Sequence, residues 1–554
     1  MTAPASGHTD TFARDHLPPA GQWPVLEFTT PLLQYPERLN AAVELIDRPV
    51  ASFGADRPAL RTPDGEVWSY GELRQRADQV AQVLTEDLGL VPGNRVLLRS
   101  PNNPWAVAAW LGVLKAGGIA VATMAALRAR ELAPIVAKTR PAVALVDHRF
   151  LDEVVAVRDA VAPELAVLAH GGDGADDLGR RVAAKSGRFA AVDTAATDVA
   201  LFGPTSGTTG VPKVTVHFHR DLLSIDNTFG RGTLRLRPDD LVACTAPLAF
   251  TFGLGMLVVF TLRAGACAFL TEATTPVQLA GLVAEHGVTV LATAPTAYQQ
   301  IVKSGELHRL SGLRSAVSAG EHLPQQLWQR LRDELGLSVI DGIGATEMLH
   351  IFISATGEDI RPGATGRPVP GYRATVLGPD GEEAAPGVAG RLGVIGPVGC
   401  RYLDDERQAN YVVNGWNVTG DTFVRDEDGY FWYQARDDDM IVSSGYNIAG
   451  PEVEAAVVTH PDVAEAAVVA APDPDRGSIV CAFVVVRAGV VADAAKAREI
   501  QDHVKRLIAP YKYPRDVRFI DALPRNPSGK LQHFKLRRLV AEPGPADPGT
   551  EEPT

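Results

Sequence analysis

Phe202 to Lys213 reads FGPTSGTTGVPK, and the rest of the chain can be interpreted outward from this stretch. Seven of its twelve residues are Gly, Ser or Thr, and an apolar run that begins at Val199 leads into it. Glycines permit backbone conformations that a Cβ forbids, and hydroxyls with exposed N–H groups can surround an anion. The stretch therefore predicts a loop that holds the phosphates of a nucleotide. The predicted phosphate-binding residues are Thr205, Ser206, Gly207, Thr208, Thr209, Gly210 and Lys213.

Two other interpretations of this loop are weaker. It is not a Walker A motif, because that motif has Ser or Thr after the lysine and here Val214 follows Lys213. A flexible linker of Gly, Ser and Thr rarely ends in Val-Pro-Lys and then runs into an apolar segment. The nucleotide-binding interpretation is therefore preferred.

A second motif, DGIGATE, covers Asp341 to Glu347 and follows a strand candidate. Its glycines would let the backbone approach a ligand, and Thr346 and Glu347 supply a hydroxyl and a carboxylate. A single carboxylate beside a phosphate loop is how Mg²⁺ is usually held, with phosphate oxygens and water as the other ligands. Alternatively, the two side chains cap the next helix, which is compatible with a role at a metal.

A third motif, Thr419-Gly420-Asp421, follows Trp416. An acidic side chain at the end of a strand can accept hydrogen bonds from both ribose hydroxyls of a nucleotide. A generic turn explains Asp421 equally well from the residues alone.

The fold class follows from the alternation of short apolar runs with helical stretches. Val96–Leu98, Ile119–Ala122 and Ala142–Val146 are predicted strands, and Trp105–Ala116 is a predicted helix. This alternation predicts an α/β fold with mainly parallel sheets covered by helices. At Gly363–Pro397 the sequence changes to short strand-like runs separated by many glycines, which predicts a small β-rich subdomain. A compact α+β pattern begins after an acidic segment at 437–439.

We therefore predict four segments. They are an N-terminal arm at 1–35, a nucleotide-binding domain with a small β-rich subdomain at 36–436, a mobile C-terminal domain at 437–540 and a disordered tail at 541–554. A chain of 554 residues is too long for one hydrophobic core, which agrees with more than one domain.

Charge and cysteine content exclude several classes of protein. Lys and Arg number 53 against 66 Asp and Glu, and the net charge of −13 argues against a general nucleic-acid-binding or anionic-membrane-binding surface. No apolar run reaches the length of a membrane span, and the first residues lack the pattern of a secretory signal. Four scattered cysteines suggest free thiols in a reducing compartment. We expect a cytoplasmic protein without nucleic-acid or membrane partners.

Taken together, the motifs resemble the signatures of the adenylate-forming enzymes, which include acyl- and aryl-CoA synthetases and nonribosomal-peptide adenylation domains. The resemblance extends from about Ala51 to about Arg538, and a further motif, Pro527-Ser528-Gly529-Lys530, supports it. Within this superfamily the chain is most similar to the benzoate-CoA ligase group, and more narrowly to 2-aminobenzoate-CoA ligases. The resemblance implies ATP, Mg²⁺ and CoA, and a monomer or homodimer that acts on a small aromatic carboxylic acid.

The resemblance also implies roles for individual residues. Lys530 would be the adenylation lysine, Thr346 and Glu347 would be catalytic, and Glu347 would hold the metal. Asp421 and Arg436 would grip the ribose of the nucleotide. The remaining ATP- and AMP-binding residues would be Ser318, Ala319, Gly320, Glu321, Asp341, Gly342, Ile343, Gly344 and Ala345. The family usually has Tyr where Ile343 stands. The C-terminal domain would supply a hinge at Asp438 and a tunnel for CoA at Ser444, Gly445 and Tyr446.

The acyl pocket is inferred from a segment that resembles the aromatic wall of benzoate-CoA ligases. Its residues here are Phe250, Thr251, Phe252 and Gly253, and His350 falls where that group has an active-site histidine. Two phenyl rings would form a flat apolar slot for an aryl ring. Without the resemblance, core packing is the simpler explanation for the two phenylalanines.

The implied reaction joins the acid to AMP and then to CoA, with 2-aminobenzoate ranked before benzoate and salicylate. An enzyme that loads the activated acid onto a phosphopantetheinyl carrier protein is the alternative. A non-catalytic nucleotide-binding module is disfavoured because Lys530, Glu347 and the loop are all present. His217 and His219 are a weak zinc signal without a third ligand.

Overall fold

The structure is a computed structural model of the chain, and it describes residues 5–205, 212–272, 274–436, 440–443, 446–473, 477–508, 512–525 and 531–541. Its contacts divide the chain into two compact units. The larger unit comprises Met1–Thr375, Gly393–Thr419 and Asp426–Trp432. The smaller unit comprises Val376–Leu392, Gly420–Arg425 and Tyr433–Thr554.

The larger unit contains two large sheets that are mainly parallel. The spatial order of the six-stranded sheet is Ala166–His170, Val143–Asp147, Arg95–Arg99, Ile119–Thr123, Val199–Thr205 and Lys213–Phe218. Its first five strands are parallel and the last pair is antiparallel. The spatial order of the nine-stranded sheet is Arg367–Pro368, Ile351–Ser354, Ile340–Gly344, Ser315–Ala319, Val290–Thr293, Leu241–Cys244, Cys267–Phe269, Pro58–Arg61 and Val67–Ser69. The two strands at one end and the single strand at the other pair antiparallel.

Helices flank these sheets, as expected for strands that are buried on both faces. The α-helices of the larger unit are Phe12–Asp15, Arg48–Phe53, Tyr70–Gln82, Pro104–Lys115, Ala129–Thr139, Leu151–Val161, Leu178–Ala183, His219–Ile225, Thr251–Leu254, Thr261–Arg263, Pro276–His286, Pro295–Ser304, Gln325–Leu335 and Gln408–Tyr411. The 3₁₀ turns are Ala20–Gln22, Pro31–Leu33, His148–Phe150, Leu307–Leu310, Thr346–Met348 and Gly357–Asp359. The π-helical stretches are Val43–Asp47, Val83–Asp87, Asp226–Leu234 and Gly255–Phe260.

Local sequence explains where many of these helices begin and end. Asn103 caps the helix Pro104–Lys115 by accepting a hydrogen bond from the N–H of Ala106 at 3.0 Å, and proline occupies the first position. Thr275 and Gln278 form a capping box at the start of Pro276–His286, and Gly287 ends that helix with φ = +67°.

A five-stranded sheet consists of Arg373–Leu377, Ala389–Ile395, Val412–Val413, Trp416–Arg425 and Phe431–Arg436. The C-terminal part of the smaller unit has a hairpin of Met440–Ser443 with Tyr446–Ala449 and a three-stranded sheet of Val463–Asp473, Gly477–Val486 and Asp516–Phe519. Its helices are Gly450–Val458, Ala494–Leu507 and His533–Ala541. The predicted α/β class is confirmed.

The chain is π-helical at Val43–Asp47 and continues as the helix Arg48–Phe53. Within the predicted N-terminal arm, the hydroxyl of Ser6 donates a hydrogen bond to Asp198 at 2.5 Å. Two local predictions were wrong in detail, because they placed motifs at or after the ends of strands. Asp341 to Gly344 and Asp421 lie inside the strands Ile340–Gly344 and Trp416–Arg425.

Among the described residues, no helix is long and apolar enough to span a membrane.

A buried histidine anchors the start of the larger unit. The Nδ1 of His219 accepts a hydrogen bond from the N–H of Ala41 at 3.0 Å, and the residue has no exposed surface. Burial lowers the pKa of His219 from 6.5 to about 3. Burial acts in the same direction on His170, with a pKa of about 4, and on His350, with a pKa of about 3.

These histidines predict a loss of stability in mild acid. The folded pKa lies below the unfolded value, so the unfolded chain binds more protons between about pH 6.5 and pH 3. The stabilising contribution is complete above pH 6.5 and decreases as the pH falls through that range. We expect Tm to fall from pH 7 to pH 4, and to fall less in His219→Gln, whose amide oxygen can still accept from Ala41. Exposed His308→Gln is the control; an equal fall in both variants would contradict the role of His219.

Candidate active site

The phosphate-binding motif lies in a hairpin of the six-stranded sheet. Thr205 is the last residue of its strand and pairs with Lys213, the first residue of the next strand. The connection between them begins and ends at the edge of the sheet. Ser206, Gly207, Thr208, Thr209 and Gly210 lie in this connection, outside the described residues.

The DGIGATE motif, which follows the nine-stranded sheet into Thr346 and Glu347, contacts the two strands of this hairpin. A Cβ on Gly203, in the first strand of the hairpin, would lie 2.9 Å from Cγ2 of Thr346. The Nε2 of His217, in the second strand, is 2.7 Å from the carbonyl oxygen of Thr346. The structure therefore brings together two motifs that are more than a hundred residues apart in the sequence.

A buried tyrosine, Tyr402, forms a hydrogen bond with a residue of each of the two motifs. The hydroxyl of Tyr402 donates a hydrogen bond to Oε1 of Glu347 at 2.5 Å and accepts one from Nζ of Lys213 at 2.8 Å. The ammonium group of Lys213 is also 3.5 Å from Oε1 of Glu347. Burial, together with the charge of Glu347, raises the pKa of Tyr402, so the phenol stays a neutral donor. The sequence analysis did not identify Tyr402, because nothing local in Arg401-Tyr402-Leu403 marks it.

This arrangement is suited to hold a divalent cation. Both contacts to Glu347 reach Oε1, so neither Tyr402 nor Lys213 engages Oε2. A single carboxylate with phosphate oxygens and water is the usual environment of Mg²⁺ at a nucleotide. Lys213 supplies a positive charge beside the same carboxylate, where phosphate groups would enter.

Two buried polar atoms lie side by side on neighbouring strands of the nine-stranded sheet. Ser318 and Asp341 are register partners, and the strands end at Ala319 and Gly344. Oγ of Ser318 and Oδ1 of Asp341 are buried, and neither makes a well-formed hydrogen bond in the described part of the chain, although Ser318 lies close enough to lower the pKa of Asp341. Burial raises the pKa of Asp341 to about 8. Unpartnered buried polar groups are the groups that a polar ligand would satisfy.

The other predicted nucleotide-binding residues of the larger unit surround these strand ends. Gly320 follows its strand with φ = +89°, and the carboxylate of Glu321 accepts a hydrogen bond from the N–H of Thr296 at 3.4 Å. Gly342 faces Ile351, whose side chain would be 2.7 Å from an added Cβ. Ile343 and Ala345, which belong to the same predicted set, are partly exposed.

His350 is enclosed by aromatic rings. The ring centroids of Phe229, Phe252 and Phe260 lie 5.3, 5.6 and 4.6 Å from that of the imidazole. Neither ring nitrogen of His350 makes a well-formed hydrogen bond among the described residues. Burial lowers the pKa of His350 to about 3, against a smaller opposing effect of the backbone of Phe252, so the ring is neutral. Gly255 approaches so closely that a Cβ there would lie 2.4 Å from Cδ2 of the imidazole. Packing therefore fixes the orientation of the ring.

Leu349 sets the direction of the chain between Glu347 and His350. It has φ = +66°, in the left-handed region that few residues other than glycine adopt, and it is fully buried. The sequence analysis missed this turn as well as Phe229 and Phe260. Each of these depends on packing between distant segments.

The residues predicted to form the wall of the acyl pocket lie at the start of a short helix. Phe250 precedes the helix Thr251–Leu254, and Phe250, Thr251 and Phe252 are all only half-buried. Partial exposure distinguishes these phenylalanines from ordinary core residues. Gly253 is required at its position because a Cβ would lie 2.3 Å from the carbonyl oxygen of Pro247.

The remaining predicted residues belong to the smaller unit. Asp421 is partly buried inside its strand, and Arg436 ends the strand Phe431–Arg436. Tyr446 begins the strand Tyr446–Ala449. The predictions for Asp438, Ser444, Gly445 and Lys530 lie outside the described residues. His217 and His219 form no three-ligand cluster with other described His, Cys, Asp or Glu residues.

Comparison with known proteins agrees with this geometry. Residues 46–401 match the model of the AMP-binding enzyme family, and residues 452–530 match that of the AMP-binding enzyme C-terminal domain. The chain belongs to this family of adenylate-forming enzymes. It is therefore an AMP-forming acid–thiol ligase, an enzyme that uses ATP, Mg²⁺ and CoA.

Several individual relatives are enzymes named for aromatic acids. The chain is 35% identical to a benzoate–CoA ligase of Thauera aromatica over 92% of its own length and 98% of the relative. It is 31% identical to a 3-hydroxybenzoate–CoA ligase of Aromatoleum over 91% and 97% of the two chains. The crystal structure of the anthranilate CoA ligase AuaEII in complex with anthranoyl-AMP superposes with a TM-score of 0.86, at 31% identity over 92% and 99%. These findings support an aryl-CoA ligase activity.

Tyr402 provides a test of the metal-binding arrangement. We expect Tyr402→Phe to weaken Mg²⁺-dependent nucleotide binding by about 10- to 100-fold, because a hydrogen bond to a charged group contributes roughly 1.5–3 kcal/mol. Calorimetric titration of ATP at several Mg²⁺ concentrations measures this directly. Tyr372→Phe, which removes another buried phenol hydroxyl, should leave binding unchanged. Equal Mg²⁺ dependence in wild type and Tyr402→Phe would contradict the arrangement.

Proposed function

We propose that the protein adenylates a benzoate-type carboxylic acid, with 2-aminobenzoate preferred, and transfers the aryl group to CoA with release of AMP and pyrophosphate. The observation that carries the proposal is the neutral His350, enclosed by three phenylalanines and without a well-formed hydrogen bond to either ring nitrogen among the described residues. Such a site offers an aryl ring apolar faces and a polar contact at one place.

An ortho substituent is the feature that this site would recognise best. A neutral imidazole can donate or accept a hydrogen bond, so it suits an amino group or a hydroxyl group. Thr251, which is half-buried at the start of the helix, adds a hydroxyl on the same wall. A buried polar group that lacks its partner discriminates more sharply than an extra methylene does. The anthranoyl-AMP bound in the AuaEII complex carries such an amino group, which supports the ranking.

Long-chain acids are disfavoured by the same packing. The rings of Phe229, Phe252 and Phe260 close around the imidazole, and Gly255 leaves no space between its backbone and His350. A fatty acid would require a longer open channel. A single aromatic ring is the acyl group that this wall suits.

Adenylation brings two anions together, the carboxylate and the α-phosphate. Positive charge and positioning would therefore supply most of the rate enhancement. Lys213 would neutralise phosphate charge from the hairpin, and Glu347, oriented by Tyr402, would hold the metal. Lys530 would bridge the carboxylate and the α-phosphate. The bound metal would supply further neutralisation of phosphate charge.

The second step would expel AMP through attack by the thiol of CoA. The mixed anhydride hydrolyses readily, so water must be excluded while it waits for the thiol. The proposed CoA tunnel at Ser444, Gly445 and Tyr446 and the proposed hinge at Asp438 assign this step to the C-terminal domain. Transfer to a carrier protein instead of CoA is the alternative, and it would give thioester on a phosphopantetheinyl protein with little turnover of CoA.

The acid preference can be tested by comparing kcat/KM for 2-aminobenzoate, salicylate, benzoate and hexanoate. We expect the ortho-substituted acids to be preferred over benzoate by about 10-fold, on the order of one buried hydrogen bond. His350→Phe keeps a ring of similar size and lacks the nitrogens, so it should abolish this preference and retain activity on benzoate. His350→Ala should weaken all aromatic acids. Hexanoate used as well as benzoate would overturn the aryl assignment.

The two half-reactions can be separated with two variants. Lys530→Ala should reduce pyrophosphate exchange by about 10²–10³-fold, the usual cost of one stabilising donor, and should largely spare thioester formation from supplied aryl-AMP. Gly445→Leu should do the reverse by obstructing the CoA tunnel. Rapid-quench assays of each half-reaction measure both effects. Parallel loss of both half-reactions in both variants would show that the two residues do not serve separate steps.

A further inference from the structure

A small cavity lies behind the segment that carries the acyl-pocket residues. Phe252 and Gly255 face His350, whereas Leu254 and Val258 of the same segment line the cavity. Its volume is about 30 Å³. None of its lining residues is among those assigned above to the acyl pocket or to the nucleotide site, so the inference does not depend on which acid the enzyme uses.

The opposite wall of the cavity is the carboxyl edge of the six-stranded sheet. Arg99, Thr123, Leu145 and His170 line it from four neighbouring parallel strands. Trp110 lines it from the helix Pro104–Lys115. Open α/β sheets bind ligands at this edge.

Three buried polar atoms on the cavity's lining residues have no hydrogen-bond partner in the described part of the structure. They are Nε of Arg99, Nε1 of Trp110 and Nδ1 of His170. The three residues are 1%, 3% and 1% exposed. Buried polar atoms rarely remain unpaired in native proteins, so three on one small cavity point to an occupant.

The charge on Arg99 indicates what kind of occupant this is. Its terminal nitrogens donate to the carbonyl oxygens of Met124 at 2.9 Å, Ala125 at 2.8 Å and Leu127 at 2.5 Å. Among the described residues, no carboxylate lies within ion-pair distance of this guanidinium. A buried cation without a counter-ion is costly. Three of its five N–H groups are used in this way, and the Nε–H is one of the two donors that remain.

The cavity lining offers donors rather than negative charge. Arginine Nε and tryptophan Nε1 can only donate, and no acidic side chain of the residues that the structure describes lines the cavity. Asp147, the register partner of His170, has its charge balanced by Arg149, whose Nη2 is 2.7 Å from its Oδ2. The missing partner must therefore accept hydrogen bonds, and a negative charge would compensate Arg99.

We propose that this cavity is a binding site for a small monovalent anion of halide size, held by Arg99, Trp110 and His170. The volume admits one such ion or one or two water molecules and excludes a carboxylate ligand with a side chain. The bound anion would complete the hydrogen bonding of the three residues. It would also brace the segment Thr251–Phe260 from the side opposite to His350.

Crystallisation of the full-length protein in sodium bromide tests the proposal. We expect an anomalous difference peak for bromide in the cavity, within hydrogen-bond distance of Nε of Arg99 and Nε1 of Trp110. An ordered water only, seen as density without an anomalous signal, would overturn the proposal. This experiment uses the wild-type chain and does not depend on any variant folding.

Thermal stability gives a second, independent measurement. At equal ionic strength, Tm should be higher by about 2 °C or more in chloride or bromide than in methanesulfonate, because an ion that binds only the folded chain stabilises it. Trp110→Phe keeps one six-membered aromatic ring but removes the indole N–H donor, so it should lose most of this difference. Trp328→Phe is the matched control, because its indole instead donates to the carbonyl oxygen of Val339 at 3.0 Å. Equal halide dependence in wild type and Trp110→Phe would also overturn the proposal.

Discussion

The contact between two sheets at Thr346 is the constraint on which the site depends. The ring of His217, in a strand of the six-stranded sheet, lies 2.7 Å from the carbonyl oxygen of Thr346, just after a strand of the nine-stranded sheet. Gly203 faces the same threonine at a distance that leaves no room for a side chain. Because the hairpin and the carboxylate of Glu347 are held this way, Lys213 and Glu347 can share the hydroxyl of Tyr402.

Much of the fold could be predicted because its strands and helices carry local signals. Val143 to Val146 is a continuous apolar run in a strand buried on both faces, and Asn103 with Pro104 marks the start of a helix. These signals depend only on neighbouring residues, so the sequence displays them.

The features that could not be predicted depend on contacts between distant segments. Asp341 to Gly344 contains two glycines, which weaken a strand, yet it pairs on both sides and is therefore a strand. Tyr402 acquires its importance only because it meets Glu347, 55 residues earlier. Phe229 and Phe260 lie in π-helical stretches, which the sequence does not mark, and only packing shows that both touch His350. Local secondary-structure propensity contains no information about contacts between distant segments.

The buried polar atoms of the site make physical sense as groups kept for a ligand. Ser318, Asp341 and His350 each have a buried polar atom without a well-formed hydrogen bond among the described residues, and each such group reduces the stability of the free protein. A protein that merely packed its core would have apolar side chains at these places. Gly255 illustrates the same point, because its backbone takes the space beside the imidazole that a side chain would otherwise fill. The ring is thus fixed by close packing instead of by hydrogen bonds, and under the proposed function this would let a rigid apolar wall recognise one polar substituent.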